Sequence, residues 1–173
     1  MTSLDRLPAF DDQGRLQAVI ESPQGSQNKL KYLPDARVFI VDHSLPAGLH
    51  FPFDFGFIPS TLGEDGDPLD ILILMDAPAY PGCLVRVRLL GVIEAEQTDS
   101  GQPTVRNDRL IGLAEGSSER GQPRSLNDLG PGLVDQIEAF FTTYNGLRGK
   151  TFTVLARRGA PTARRLIRAA ARS

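Results

Sequence analysis

Residues 70–74 read Asp-Ile-Leu-Ile-Leu, four apolar side chains in a row with no polar alternation. A run this short suits a strand covered on both faces, because a solvated face would need a polar residue at every second position. Other short runs surround it. Residues 16–21 (LQAVIE) and 37–42 (RVFIVD) are rich in the Val, Ile and Phe that fill a pleated surface. Residues 84–95 (LVRVRLLGVIEA) begin with the alternation of a half-buried strand, and Gly91 marks a bulge or bend within it. SPQGSQNK, with Pro23 and Gly25, reads as a turn-rich connection. QTDSGQPTVRNDR reads as a hairpin loop leading into a strand near LIGLA. The 17 Gly and 13 Pro fit such a turn-rich β body better than a helical bundle.

Two helices follow late in the chain. Residues 131–145 place Leu133, Ile137, Phe140, Phe141 and Tyr144 at helical spacing, with Asn127 or Asp128 as a cap and Gly146 after the end. A second helix, about 161–172, opens on Pro161 and carries Leu166, Ile167 and Ala170 on one side. Strands with two late helices make an α+β fold, mainly β: a small five-stranded closed barrel with the helices packed outside. At 173 residues the chain is expected to form a single domain over 1–173.

Composition narrows the setting. No apolar run approaches the ~20 residues that span a bilayer. The polar start, MTSLDRLPAFDDQGR, has no signal-peptide core, and the lone Cys83 reads as a buried small residue in a reducing compartment. A cytoplasmic location is expected. The net charge of −2 hides six arginines between Arg157 and Arg172, where there is no acid. They read as the solvated face of a surface helix, and they leave the rest of the chain acidic enough to concentrate divalent cations.

Chemistry concentrates in Glu64-Asp65-Gly66-Asp67-Pro68-Leu69-Asp70, which runs straight into the apolar strand. Three aspartates so close repel one another without a cation, and a hard ion such as Mg²⁺ takes oxygen ligands together with substrate phosphates. Gly66 allows a tight turn, Pro68 stiffens it, and Asp70 starts on a rigid strand. A solvated acidic loop is the plainer reading of the same residues. The spacing excludes an EF-hand, since Asp70 sits where its sharp-turn glycine belongs. There is no GxxxxGK[ST] loop, no HExxH helix and no Gly-x-Ser-x-Gly elbow.

DGDPLD followed by ILIL resembles the signature of family I inorganic pyrophosphatases, and the resemblance extends over most of the chain. VIESPQGSQNK, FIVDH, FPFDFGFIP, PGCLVRVRLLGVIE and QIEAFFTTYN are similar to the family's other segments. It implies a five-stranded OB-like barrel with flanking helices and Mg²⁺-dependent hydrolysis of pyrophosphate to two phosphates. It implies Asp65 and Asp70 as metal ligands and Asp67 as the general base. Lys29 and Tyr144 would bind phosphate, and Glu21 would stand at the edge of the site. A homo-oligomer is also implied.

The chain departs from the family's pattern at several of these positions. A second glutamate is replaced by Lys31, a phosphate-binding arginine by His43, two tyrosines by Phe51 and Phe55, and a lysine by Asn145. In the hairpin, strand parity puts Gln97 and Asn107 where two aspartates are expected, with Arg109 in a lysine's place and Asp99 and Asp108 as stand-ins. By resemblance His43 and Arg109 would then contact substrate and Asp70 would share the metal with Asn107. Lost anionic ligands imply weakened metal sites, so a repurposed or inactive relative binding an anion, nucleotide or protein partner is the alternative. Phe51 and Phe55 would offer rings to an aromatic base, although core packing explains them more simply. The acidic body argues against nucleic acid.

Overall fold

The computed structural model describes residues 2–118 and 122–172. Within these residues nine strands and two α-helices succeed one another: β1 (Leu16–Ser22), β2 (Asn28–Leu33), β3 (Val38–Ser44), β4 (Asp54–Phe57), β5 (Asp70–Leu74), β6 (Leu84–Thr98), β7 (Val105–Arg106), β8 (Arg109–Ala114), α1 (Leu133–Gly146), β9 (Thr151–Gly159) and α2 (Ala160–Ala169). Five of them close a ring. β1 pairs antiparallel with β4, β4 with β5, β5 runs parallel to β8, β8 pairs with β6, and β6 returns to β1. The mainly β, five-stranded closed arrangement with two late helices is therefore the one observed. β2 and β3 form a separate hairpin, and β9 lies against the far half of β6.

β6 holds the fold together because its 15 residues serve several neighbours in turn. Leu84–Val87 pair with β1, Val87–Ile93 with β8, and Gly91–Thr98 with β9. The register slips between Leu89 and Gly91, so the bulge expected at Gly91 is present. A Cβ there would lie 2.4 Å from the Arg158 carbonyl oxygen and 2.7 Å from Leu126 Cγ, which leaves room only for hydrogen.

The run at 70–74 is buried on both faces. Leu72 and Leu74 join Ile137 and Phe141 of α1 in one core cluster, while Ile71 and Ile73 join Ala163 and Ile167 of α2 in the other. α1 buries Val134, Ile137, Phe141, Tyr144 and Asn145, while Leu133 and Phe140 are only partly covered. The Asp128 carboxylate accepts from Ser125 and caps a one-turn 3₁₀ helix ahead of α1, whose own N-cap is Gly132 at φ 80°. α2 starts one residue before Pro161. Arg157 pairs with Asp135 and Glu138 on α1, and Arg158 with Glu94 on β6, so part of the arginine-rich stretch fastens β9 rather than facing water alone. Cys83 is half-buried. Among the described residues no helix is long and apolar enough to cross a membrane.

Four strands stand where none was expected, among them the two-residue β7 within the stretch read as a hairpin loop. β2 occupies part of the stretch read as a connection, because Asn28-Lys29-Leu30-Lys31 looks polar until its lysines are seen to face a cleft. β4 has only four residues and contains Gly56. β9 lies outside the ring with most of its residues open. Gly56 also marks a close approach: a Cβ there would fall 2.0 Å from the Val19 carbonyl oxygen. Gly56→Ala is expected to lower stability by about 1–3 kcal/mol, as overpacked cores do. An unchanged urea midpoint would contradict this packing.

Candidate active site

The acidic segment 64–70 is held as a turn before it does any chemistry. Gly66 takes φ 86°, the Gly63 amide donates to the Asp67 carbonyl at 2.7 Å, and the Asp67 amide donates to Asp65 Oδ1 at 3.1 Å. The Thr61 hydroxyl donates to the Ile58 carbonyl and accepts from the Leu69 amide, fastening the turn to the ring. The end of the chain buttresses its other side: the Leu62 amide donates to the Ala170 carbonyl, and the Arg172 amide to that of Ser60. Asp70 opens β5 opposite Phe57.

This turn forms one wall of a cleft of about 480 Å³. The β2–β3 hairpin, the ends of β6 and β8 and the last turns of α1 supply the others. They bring Glu21, Lys29, His43, Asp65, Asp67, Asp70, Asn107, Arg109 and Tyr144 to one cavity, together with Gln97 and Asp99. Asp108 turns away: its carboxylate accepts from the Ala95 amide and from Arg106 and lies in a neighbouring groove.

Each wall pairs acids with bases. Lys31 Nζ donates to both oxygens of Asp67 at 2.9 Å, so the position that departs from the resemblance grips the expected base directly. With side-chain exposures of 40% and 51%, this pair adds little stability but fixes the carboxylate's direction. Arg109 reaches Asp70 at 2.7 Å and is far more buried, at 6% against 18%. It also donates to the Asn107 side-chain oxygen and to the Asn107 and Asp108 carbonyls, and it packs over the Phe141 and Phe152 rings. Asn107 Nδ2 donates to the Gln97 side-chain oxygen at 3.1 Å. Lys150 Nζ donates to Asp99 at 2.6 Å.

Glu21 is only 7% exposed and accepts from the Tyr32 amide at 2.8 Å. Burial pushes its carboxyl up to about 7, against the opposing charge of Lys29. It is an inner wall of the cleft rather than only an edge. On the opposite side, His43 Nε2 lies 2.6 Å from the Tyr144 hydroxyl and Nδ1 lies 2.8 Å from Asp42. Arg148 donates to the same hydroxyl at 3.0 Å. Burial holds His43 below its ordinary value, and Arg148 and Lys29 add to this against Asp42. Burial raises Tyr144, with Arg148 opposing.

Phe51 and Phe55 are each 2% exposed, stacked on one another at 5.2 Å and packed against Phe140 and Phe141. Their faces are taken by the core, which removes the case for a stacked aromatic ligand. Lys29 Nζ sits 4.3 Å over the Phe55 ring. Sequence reasoning missed Asp42, Arg148 and Lys150. Arg148 stands four residues after Tyr144, a helical neighbour that spacing would have revealed.

The donor set is all oxygen, which suits a hard cation. Among the described residues no three His, Cys, Asp or Glu side chains gather as they would around an ion. Asp67, Asp70 and Asp99 already have basic partners, and the oxygens of Gln97 and Asn107 accept from Asn107 and Arg109 respectively. Of the three aspartates in the turn, Asp65 has no ion pair among the described residues. These residues fit one hydrated ion held by one or two carboxylates and completed by substrate oxygens; they do not fit a cluster of ions.

The family model described as inorganic pyrophosphatase matches residues 18–173. The inorganic pyrophosphatase of Nostoc sp. is 35% identical over 152 residues, covering 88% of this chain and 87% of its own. Among solved structures, the inorganic pyrophosphatase from Thermus thermophilus superposes with a TM-score of 0.87 at 35% identity, covering 98% of this chain and 97% of that one. One from Neisseria gonorrhoeae gives 0.84 at 32% identity, covering 95% and 94%.

Proposed function

The chain belongs to the inorganic pyrophosphatase family, and from that membership we propose that it hydrolyses inorganic pyrophosphate to two phosphates, with Mg²⁺ as its ion. The observation that carries the reading is a single cleft in which the acid turn faces Lys29, Lys31, His43, Arg109, Arg148 and Lys150. Basic side chains around the cleft match the charge of a small diphosphate, and the acids of the turn orient water. Asp67 is the base that takes a proton from the attacking water, with its carboxylate aimed by Lys31. Lys29, Tyr144 and Arg109 bind phosphate oxygens, and His43 serves the substrate through the Tyr144 hydroxyl. Glu21 stands behind Lys29 as a further wall of the site.

Asp65 and Asp70 would hold the ion, and the amide of Asn107 would border it. The bound ion would supply positive charge where the transferred phosphoryl group gathers negative charge. The same reading extends to a single domain over 1–173, a cytoplasmic location, a homo-oligomer, and no nucleic-acid or membrane partner.

One observation favours a second reading. Lys31 takes both oxygens of Asp67, an arrangement that suits a relative binding a phosphorylated ligand without hydrolysing it. Phosphate release from pyrophosphate, measured with and without Mg²⁺, separates the two. Metal-dependent turnover is expected, with Asp67→Asn slowing it about 10²–10³-fold and Asp70→Asn serving as the control for contaminating enzyme. No release by the wild-type protein in Mg²⁺ or Mn²⁺ would sink hydrolysis and leave the binding reading.

A further inference from the structure

We propose that Asp42, His43 and Tyr144 form a proton line into the cleft, in which protonation of His43 turns the Tyr144 hydroxyl into a donor for a substrate phosphate and then for the leaving group. The inference rests on the phosphoanhydride reading of the same cleft and adds a proton to what the site binds.

The hydrogen-bond inventory fixes the sequence of states. Asp42 accepts, so the imidazole carries its hydrogen on Nδ1, 2.8 Å from the carboxylate. A neutral ring then offers only a lone pair at Nε2, and the Tyr144 hydroxyl 2.6 Å away must donate to it. Arg148 has no acceptor, so at 3.0 Å it donates to the phenol oxygen. In this state Tyr144 has spent its only hydrogen and has nothing to give an anion. One proton added at Nε2 reverses the bond. The imidazolium donates to the phenol oxygen, both lone pairs there are occupied, and the O–H is free to point into the cleft. Toward His43 the hydroxyl changes from donor to acceptor, and toward the cleft Tyr144 gains a donor without moving.

The charges around His43 make this change depend on the ligand. Asp42 lies on its own strand, Lys29 stands directly across on β2, and Arg148 follows α1. Burial first, and then the two cations, favour the neutral ring against the pull of Asp42. A phosphate beside Lys29 and Arg148 offsets both, so anion and proton bind together. When the bridging P–O bond breaks, its electron pair goes to the bridging oxygen, which takes the Tyr144 proton. Tyr144 takes the Nε2 proton, and the imidazole ends neutral with Nδ1–H still on Asp42. The hydroxyl of the attacking water joins the other phosphorus, and its proton goes to Asp67. Asp42 is a positioning residue that touches neither phosphate.

The test is calorimetry of methylene bisphosphonate, whose bridging carbon prevents hydrolysis. Binding would be measured at neutral pH and saturating Mg²⁺, in two buffers of different protonation enthalpy. The wild-type protein is expected to take up about one proton more than His43→Gln on binding, and His43→Gln to bind about 10–100-fold more weakly. Tyr144→Phe should lose the uptake as well, whereas direct contact between His43 and phosphate would preserve it and overturn the line. Equal uptake in wild type and His43→Gln would overturn it too, while leaving the phosphate site standing. Failure of the wild-type protein to bind would remove the phosphoanhydride reading and the line together. Nitrogen NMR of the free protein provides a check that needs neither ligand nor variant: an Nε2–H tautomer of neutral His43 would overturn the proposal.

Discussion

Arg109→Met is expected to cost about 3–5 kcal/mol of folding stability, the loss that follows when one partner of a buried ion pair is removed. The arginine side chain is 6% exposed, packs over the Phe141 and Phe152 rings and holds Asp70 at 2.7 Å, so truncation leaves that largely buried carboxylate without its cation. Its bonds to the Asn107 side chain and to the Asn107 and Asp108 carbonyls go as well. The methionine fills much of the same space, so the loss reports charge and hydrogen bonding more than a cavity. Two comparisons separate these. Arg109→Met with Asp70→Asn should recover most of the loss, because no unpaired charge remains. Mg²⁺ should stabilise the single variant more than the double one, since an ion there would replace the missing cation. Urea midpoints in chelator and in Mg²⁺ read both. A single variant as stable as wild type would show that the pair does not anchor β8 to the acid turn.

Glu21→Gln is expected to stabilise the protein, and only above acidic pH. The folded carboxyl sits at about 7 because it is buried, against an ordinary value of 4.5. Between those values the folded chain keeps a proton that the unfolded chain has released, so stability falls as pH rises. The penalty is absent below 4.5 and complete above 7, where it amounts to about 3 kcal/mol. Glutamine keeps an oxygen for the Tyr32 amide and has no proton to lose. The gap between variant and wild type should therefore open across that window in urea titrations. Parallel curves would mean that Glu21 is not buried as a titrating group.

What the sequence revealed is contiguous or periodic. Asp65, Asp67 and Asp70 were legible because three acids share one turn, and 70–74 because a strand buried on both faces needs no polar side. Gly91 announced the bulge in β6, and the spacing of Ile137, Phe141 and Tyr144 announced α1. Strand parity put Gln97 and Asn107 at the positions of two expected acids, but their hydrogen bond to each other was not foreseen. What stayed hidden depends on the direction of a side chain or on distant pairing. Lys31 meets Asp67 across 36 positions and Lys150 meets Asp99 across 51, and no local pattern encodes either meeting. Phe51 and Phe55 read most simply as core, and only the structure shows their rings packed against one another and against α1. β2 was lost because lysines that line a cleft read as lysines in a loop.

The long β6 strand also bears on the order in which a nascent chain can assemble. β1, β4 and β5 come from the first half and can pair as soon as they leave the ribosome, but the ring must wait for β6 to bring Val87 back to Leu16. β8 then fills the gap, and β9 docks when Gly159 meets Gly91. Pairings between such distant residues make closure slow compared with helix formation. Tyr144 and Arg148 reach the cleft only after the ring that supports them is in place. Neither half of the polypeptide holds the cleft, so a ribosome paused before residue 144 carries a nearly complete β framework and no site.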